Sequence, residues 1–303
     1  MRRGSVVLLL SLSACSKCDE QPSNSSPKDA DAPDVYSIKM PEGGSVVNAT
    51  PMTTASVAAM VNPENLPIYD GPTGSVEGTI WVTGDPPVPT PADFSRCPDA
   101  EKIWGASFRQ GPPNAKGARP LADAIVGVTG YKGIFVPEKE PAKRATIAGC
   151  GYEQRTVTMT LGQELDVYNE ATQFWTPILE PGVVKVMRML PPHADPAKLY
   201  PQRPGHYLLL DNDRRYAVVD VYVFLHPLHT ATTTTGTYRI DGIPVGKVRV
   251  STTHPRFEGE VSTELDVKPN VVNHVELTLD HKHRDAGPAV LDEDAGRARP
   301  PIH

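Results

Sequence analysis

Short segments in which apolar and polar residues alternate recur along this chain, and they constrain its fold more than any other feature. Two of them, 206–210 and 217–225, are rich in Leu, Val and aromatic residues and are separated by the polar turn 211–215. This pattern predicts a strand, a turn and a second strand. Because no long helical period interrupts these segments, the chain is predicted to be all-β, with a β-sandwich architecture.

Further strands are predicted wherever apolar residues alternate over several positions. Segments 156–161 and 164–168, separated by a Gly-Gln turn, have the pattern of a β-hairpin. Short helical turns are predicted at 54–60 and around Trp104, and the 32 Pro residues indicate long irregular connections. The other predicted strands are 75–83, 124–129, 143–147, 183–189, 247–252, 259–267 and 272–279. We expect strands 75–83 and 124–129 to pair with the C-terminal strands.

The N-terminus has the features of a targeting segment. Arg2 and Arg3 precede a short apolar run that ends in Leu-Ser-Ala-Cys, with the cysteine at position 15. This sequence resembles a bacterial lipobox, which implies that residues 1–14 are a signal peptide and that lipidated Cys15 anchors the mature chain to a membrane. The alternative is an ordinary secretory signal with an unrelated cysteine. Ser16 follows the cysteine, where Asp would favour inner-membrane retention, so the predicted location is the outer membrane.

Two terminal segments have little apolar periodicity. Residues 15–72 are rich in Ser, Pro, Ala and Asn, and from residue 16 to 72 they contain three Lys against eight Asp and Glu. This composition predicts a disordered acidic tether between the lipid and the folded part. Residues 281–303 are polar and unpatterned, and they are predicted to be a disordered tail.

The chain has four cysteines, of which Cys15 is assigned to the lipid. Export would place the folded part in an oxidising compartment, where Cys97 and Cys150 are predicted to form a disulfide. Closing a loop of this length would stabilise the fold by about 4 kcal/mol in the chain-entropy model. Cys18 is left over in the predicted tether.

Composition and motifs exclude several functional classes. The formal net charge of −6 gives no reason to expect nucleic acid as a partner. No apolar run approaches the length of a membrane-spanning helix. The chain has no phosphate-binding loop, no dinucleotide fingerprint and no zinc-protease motif. It is therefore not predicted to be an enzyme.

Five segments resemble, in order and spacing, the outline of carboxypeptidase regulatory-like domains. They are the opening strand 74–80, the Pro-Leu-Ala segment 120–126, the turn 232–238, the Ile-Pro-Val-Gly segment 243–250 and the closing strands 264–279. Thr233 departs from the family, which often has Asp there. The resemblance implies a small transthyretin-like β-sandwich formed by residues 73–130 and 218–280.

A second set of segments is similar to bacterial plastocyanin-like proteins, which are cupredoxins that occur fused with such a domain. The resemblance implies that residues 131–217 form a cupredoxin-like β insertion within the regulatory-like sandwich. The segments that carry it are Gly149–Tyr152, Leu161–Leu165, Asn169, Pro204–Tyr207, Val221–Val223 and His226–Pro227.

The resemblance also places the expected copper ligands, one residue at a time. A type 1 copper site needs two imidazoles, a thiolate and a weak axial thioether. The first histidine falls at Trp175, the cysteine at Asp211 and the second histidine at Arg214, while the methionine falls at Ala217. All four residues differ from the family, so neither a metal nor another cofactor is predicted. Trp175, Asp211 and Arg214 are instead predicted to form a recognition surface, and the alternative is a solvated hairpin with weak ion pairs.

These features predict a non-catalytic lipoprotein of the cell envelope with a binding or scaffolding role. Besides the membrane, its expected partner is an envelope protein or a polysaccharide, bound through loops at one end of the sandwich. One alternative is a copper-binding electron-transfer protein with other ligands, which would need a free thiolate from Cys97 or Cys150. Another alternative is a carbohydrate-binding module, for which the candidate aromatic residues are Trp81, Trp104, Phe174 and Trp175.

Two histidine pairs invite a metal hypothesis. His226 and His229 flank a Pro-Leu pair, and we favour a structural role for them in a turn over a role as ligands. His281 and His283 lie in the predicted tail and would give at most a weak, adventitious metal site.

Overall fold

The computed structural model describes residues 50–181 and 189–282. Within these ranges the chain consists mostly of β-strands, and its helices α1 (Thr54–Val61) and α2 (Pro98–Trp104) are short. Neither helix has the length or the apolar character needed to cross a membrane. The predicted all-β sandwich class is therefore confirmed. Several predictions fall outside the described residues, namely the signal peptide, Cys15, Cys18, most of strand 183–189, His283 and the rest of the tail.

The strands of the described chain form four sheets. In chain order they are β1 (Thr73–Gly84), β2 (Arg119–Pro120), β3 (Ile125–Thr129), β4 (Ala142–Ala148), β5 (Gly151–Tyr152), β6 (Thr156–Thr160), β7 (Glu164–Asn169), β8 (Pro177–Glu180), β9 (Ala197–Leu199), β10 (Gly205–Asp211), β11 (Val219–Phe224), β12 (His229–Ala231), β13 (Thr237–Pro244), β14 (Gly246–Thr253), β15 (Val261–Val267), β16 (Val272–His274) and β17 (Leu277–His281).

Strands from both ends of the described chain form the terminal sandwich. In one sheet, β1 pairs antiparallel with β13 and parallel with β16 and β17. In the other, β3 and β15 flank β14, and β12 adds to β3. Alternating apolar residues such as Val76, Ile80 and Val126 bury their side chains in one core between these sheets. The predicted pairing of 75–83 and 124–129 with C-terminal strands is therefore confirmed.

Strands β4 to β11 form the inserted sandwich, which lies between β3 and β12 in the sequence. One sheet has the order β6-β11-β10-β8 and the other has the order β5-β4-β7-β9. The antiparallel pair β10–β11 is the strand, turn and strand predicted at 206–225. A second core, which includes Met159, Leu165 and Val221, fills the space between the sheets.

Strands β6 and β7 do not form the predicted hairpin. β6 pairs parallel with β11, whereas β7 pairs with β4 and β9 in the opposite sheet. Every residue of β6 is buried, so both of its faces need cover, while β7 alternates between buried and half-buried positions. The short connection between them therefore crosses from one sheet to the other instead of turning within a sheet.

The predicted boundary of the insertion at residue 217 is too early. Strand β11 follows it, pairs in register with β10, and places Val219, Val221 and Val223 in the core of the inserted sandwich. The terminal sandwich resumes only at β12. Strand alternation alone does not show which of the two sandwiches β11 joins, because both cores accept valines.

Residues 50–72 were predicted to belong to the tether, and this part of the prediction is wrong. The Thr53 side chain accepts a hydrogen bond from the Ser56 amide at 3.2 Å and caps α1. Met52, Met60 and Val61 pack against the core of the inserted sandwich. This packing gives a polar, Pro-rich segment enough buried apolar surface to adopt a fixed structure.

The predicted disulfide between Cys97 and Cys150 is confirmed, with the two Cα atoms 5.9 Å apart. It joins the first residue before α2 to the turn between β4 and β5. The disulfide thereby attaches the Pro-rich connection that contains α2 to the inserted sandwich. Trp104, at the end of α2, lies in the core of that sandwich.

A buried polar network joins the two sandwiches. The Arg155 guanidinium donates to the carbonyls of Ala106 and Ser107, both at 2.8 Å, and burial lowers its pKa to about 10. Asp220, on β11, lies 2.8 Å from His206 Nε2 and 3.2 Å from Arg256 Nη2, and Arg256 belongs to the loop between β14 and β15. The carboxylate of one sandwich therefore binds a cation of the other.

Candidate functional site

The three residues predicted as a recognition surface lie together at one end of the inserted sandwich. Trp175 precedes β8, Asp211 is the last residue of β10, and Arg214 lies in the turn between β10 and β11. Pairing of β8 with β10 brings Pro177 opposite Asp211, which places Trp175 beside the turn. We call these three residues the Trp175 cluster.

The buried carboxylate of Asp211 holds the turn between β10 and β11 through hydrogen bonds to backbone amides. One carboxylate oxygen accepts hydrogen bonds from the amides of Asp213 and Arg214, both at 3.0 Å, and the other accepts from the Thr176 amide at 2.8 Å. The Arg214 guanidinium adds an ion pair at 3.3 Å. Because these donors occupy most acceptor positions of a carboxylate that is only 2% exposed, little of it remains available to a ligand.

Arg214 covers the indole ring of Trp175. Its guanidinium carbon lies 4.2 Å from the ring centroid, which is a cation–π contact. The same group donates to the Gln173 side-chain oxygen at 2.5 Å and to the Phe174 carbonyl at 3.4 Å. The cation is therefore fixed by four partners and is only partly exposed.

Trp175 fills the space beneath the guanidinium. Only 1% of its surface is exposed, and its ring meets the edge of Tyr152 at a centroid distance of 5.8 Å. Burial, together with the Asp211 charge, raises the pKa of the Tyr152 phenol well above its usual range. The recognition-surface hypothesis therefore needs a correction: Trp175 and Asp211 are buried, and among the three residues Arg214 alone reaches solvent.

The cluster does not fit a copper ion. Ala217 is fully buried and carries no ligand atom, and the Arg214 guanidinium lies 3.3 Å from the Asp211 carboxylate, where its positive charge disfavours a second cation. Cys97 and Cys150 are both consumed by the disulfide, so neither supplies the thiolate that the electron-transfer alternative requires. In the part of the chain that the structure describes, no group of three or more His, Cys, Asp or Glu is arranged to hold a metal.

The aromatic residues proposed for carbohydrate binding do not form one platform. Trp104 and Trp175 are buried in the core of the inserted sandwich, whereas Trp81 lies on β1 of the terminal sandwich. Phe174 is 58% exposed and stands next to Trp175 in the sequence, but Trp175 itself is buried. Core packing therefore explains the buried tryptophans.

His226 lies in the connection between the two sandwiches and His229 is the first residue of β12, with their ring centroids 6.0 Å apart. His229 Nε2 lies 3.2 Å from the Thr160 hydroxyl, and neither histidine has a partner for Nδ1 among the described residues. Burial lowers the pKa of both, and for His229 burial, His226 and Lys143 together lower it to about 3. Both rings are therefore neutral at physiological pH, His226 half-buried in the turn before β12 and His229 buried at the start of that strand.

Sequence reasoning missed an apolar groove of about 520 Å³. It lies between α1, the segment that follows α1, the segment before β4, and the ends of β6 and β11. Its lining residues are Thr54, Val57, Ala58, Val61, Asn62, Asn65, Leu66, Ile68, Phe135, Val136, Pro137, Glu138, Thr160, Leu161 and Leu225. Only the helical turn predicted at 54–60 pointed towards it, because the other walls come from distant, irregular segments.

The walls of the groove are held together by backbone hydrogen bonds. The Tyr69 amide donates to the Phe135 carbonyl, and the Phe135 amide donates to the Pro67 carbonyl, both at 2.8 Å. Two apolar side chains remain in solvent at the rim, with Ile68 64% and Leu225 40% exposed. Glu138 is the single charged residue among those that line the groove.

Comparison with known proteins finds no matching family model and no matching curated protein. Solved structures of amicyanin, a cupredoxin, are weakly similar. A reduced variant and a Cu(I) variant are each 18% identical, with a TM-score of 0.25, and the match covers 28% of this chain and 85% of amicyanin. An oxidized variant is 17% identical over the same shares, also with a TM-score of 0.25. Similarity at this level establishes neither a family nor a function for this chain.

Proposed function

We propose that this chain is a non-catalytic lipoprotein of the outer membrane, anchored by a lipid on Cys15, whose folded part binds an envelope partner without a resident metal. The observation that carries the proposal is the Trp175 cluster. An indole, a carboxylate and a guanidinium saturate one another there, at the positions where the resemblance expects copper ligands.

The chemistry of the cluster supports a structural role. The Arg214 guanidinium carries a positive charge, which repels a metal ion. Asp211 already accepts bonds from three backbone amides and one guanidinium. A ligand would have to break these contacts before it gained any of its own, and the partner surface is therefore expected elsewhere on the sandwich.

Metal content tests the first part of the proposal. The full-length chain is exported to an oxidising periplasm, purified, and incubated with Cu(II), and the thiols of Cys97 and Cys150 are mapped separately from that of Cys18. We expect no stoichiometric copper, no absorption near about 600 nm, where blue-copper thiolates absorb, and no free thiol at positions 97 and 150. Stoichiometric copper with a free Cys97 or Cys150 would make electron transfer the leading function.

Lipidation tests the second part. Cells that express the full-length chain are labelled with radioactive palmitate, and their membranes are separated by density. We expect label in the chain and recovery with the outer membrane, and loss of both in Cys15→Ser. Cys18→Ser is the matched control, because it removes the neighbouring thiol. Unlabelled wild-type chain in the soluble periplasmic fraction would contradict the anchor.

A further inference from the structure

The groove beside α1 has the size and lining of a site for a small apolar molecule. Its volume of about 520 Å³ lies within the range of small-ligand pockets. Val57, Val61 and Leu66 line one wall, and Phe135 and Leu161 line the other. None of the residues of α1 is fully buried, so the helix covers the core without filling the groove. Apolar surface left in water this way favours an apolar occupant.

Glu138 gives the groove a fixed negative end. One oxygen of its carboxylate accepts hydrogen bonds from the amides of Lys139 and Glu140, at 2.8 and 2.9 Å. The other oxygen accepts from the Thr160 hydroxyl at 2.6 Å. A carboxylate has about four acceptor positions, so one position remains on the oxygen that faces Thr160. The contacts already made hold that oxygen in place for a donor.

The hydrogen bonds of the Thr160 hydroxyl determine which kind of ligand group the open Glu138 oxygen can bind. Thr160 has a single hydroxyl proton, and the 2.6 Å contact assigns it to Glu138. His229 Nε2, at 3.2 Å, must then donate to the same hydroxyl oxygen. The chain of donors therefore runs from His229 through Thr160 to Glu138, and it ends on a carboxylate that can only accept. A ligand group at this end must supply hydrogen, and a cation supplies charge as well.

We propose that the groove binds a small amphiphile with an aliphatic body and a primary ammonium head, with the body against α1 and Phe135 and the head on Glu138. This inference deepens the proposed binding function and rests on it for its cellular setting. The binding test involves neither copper nor the lipid, so its failure is distinguishable from failure of the copper and lipidation tests.

Calorimetric titration of the full-length chain carrying Cys15→Ser, which has no lipid, with three ten-carbon probes tests the ligand class. The probes are decylammonium, decanol and decanoate, each below its solubility and micelle limits. We expect one decylammonium per chain, with decanol about fivefold weaker because it lacks the charge that pairs with Glu138. Decanoate is expected to be weaker still, because its carboxylate would meet another carboxylate. Equal affinity for decanoate and decylammonium would overturn the proposal.

The variant Glu138→Gln tests the contribution of the ligand's ammonium head separately from that of its aliphatic body. The amide keeps the shape and an acceptor oxygen but loses the charge. We expect decylammonium affinity to fall about fivefold, to that of decanol, while decanol affinity stays unchanged. An equal loss for both probes would mean that the variant has changed the shape of the groove and not its charge, and would count against the assigned head position.

Rim variants locate the aliphatic body. Leu225→Asp adds a second negative charge to the apolar wall and is expected to weaken decanol binding by about tenfold. Val271→Asp is the matched control, because Val271 is 43% exposed, as Leu225 is 40% exposed, and does not line the groove. Ile68→Glu, with Phe174→Glu as its control, repeats the test at a more exposed position in case Leu225→Asp fails to fold. Equal effects of a groove variant and its control would contradict the site.

Sedimentation velocity tests the competing occupant, a second copy of the chain. We expect a monomer at all concentrations, with or without decylammonium. A dimer that Leu225→Asp disrupts and Val271→Asp preserves would show that the groove is an interface between copies, and it would overturn the small-molecule assignment.

Discussion

The Trp175 cluster and the groove beside α1 are two regions of the inserted sandwich with opposite chemistry. In the cluster, Arg214 and Asp211 satisfy each other and the backbone around them, and Trp175 fills the interior. In the groove, apolar walls remain partly in solvent around one carboxylate with an open acceptor position.

In the cluster, side chains of the protein itself fill the space, whereas in the groove side chains form the walls and leave the space between them open. The resemblance to plastocyanin-like proteins directs attention to the cluster, since three of the expected copper-ligand positions fall there. The cluster gains stability from its own contacts, so substitutions there should cost folding free energy. The groove has little packing to lose, so substitutions there should change binding and leave stability nearly intact. The following predictions test this contrast.

The largest effect is expected for Trp175→Ala. Removal of the buried indole leaves a cavity and frees Arg214 from its cation–π contact, so the free energy of unfolding should fall by about 4 kcal/mol. Urea denaturation measures it. Phe174→Ala is the control, because its 58% exposed ring should change stability by only about 0.5 kcal/mol. Similar losses for the two variants would mean that Trp175 does not support the core.

Asp211→Ala is expected to have the next largest effect. Three backbone amides and the Arg214 guanidinium lose their acceptor, which should lower the free energy of unfolding by about 2–3 kcal/mol. Asp213→Ala removes an exposed carboxylate from the same turn and should be nearly neutral. If Asp211→Ala is also neutral, the cluster is a solvated hairpin.

His229→Gln is expected to change the pH dependence of stability. The folded pKa of His229 is lowered to about 3, whereas the unfolded value is about 6.5. Between these values the unfolded chain binds a proton that the folded chain does not, so this histidine reduces stability as the pH falls below about 6.5. His229 should therefore lower the free energy of unfolding by about 1.4 kcal/mol for each pH unit below this value. In His229→Gln this contribution to the pH dependence should be absent.

Urea denaturation at a series of pH values from 7 to 4 measures the slope. His274→Gln is the control, because its side chain is 75% exposed. The assignment of the slope to His229 would fail if both substitutions altered the curve to the same extent.

The smallest effect on stability is expected at the groove. Leu225→Ala and Ile68→Ala remove side chains that are already partly in water, so each should lower the free energy of unfolding by about 0.5–1 kcal/mol. Thermal and urea denaturation measure it. A loss as large as that of Trp175→Ala would show that the rim is core, and would remove the contrast with the cluster.

Particular residues show why some elements could be predicted and others could not. Alternating apolar residues such as Val76 and Ile80 predict β1 from a local pattern. The disulfide was predicted by counting, because Cys97 and Cys150 are the two cysteines within the predicted folded part of the sequence. Met159 on β6 alternates equally well, but the same alternation fits a hairpin or a crossing between sheets. Burial of both faces of β6 decides between them, and burial depends on the whole fold.

The groove could not be predicted for a related reason. Its walls come from Val57, Phe135, Leu161 and Leu225, which lie far apart in the sequence and in segments without a common period. Each of these residues alone has the properties of an ordinary apolar residue near a loop. The carboxylate of Glu138 likewise has no signature in the sequence, since its role depends on the hydroxyl of Thr160.

The sequence by itself determined the all-β class and the disulfide partners, which depend on residue type, spacing and periodicity, local properties of the chain. The nested sets of strands and the residues at the expected ligand positions were implied by the resemblance to plastocyanin-like and regulatory-like proteins. Only the tertiary structure decided that Trp175 and Asp211 are buried, that β11 belongs to the inserted sandwich, and that α1 helps to form a groove. These depend on which faces pack together, because burial and distance are properties of residues remote in sequence that the folded core brings into contact.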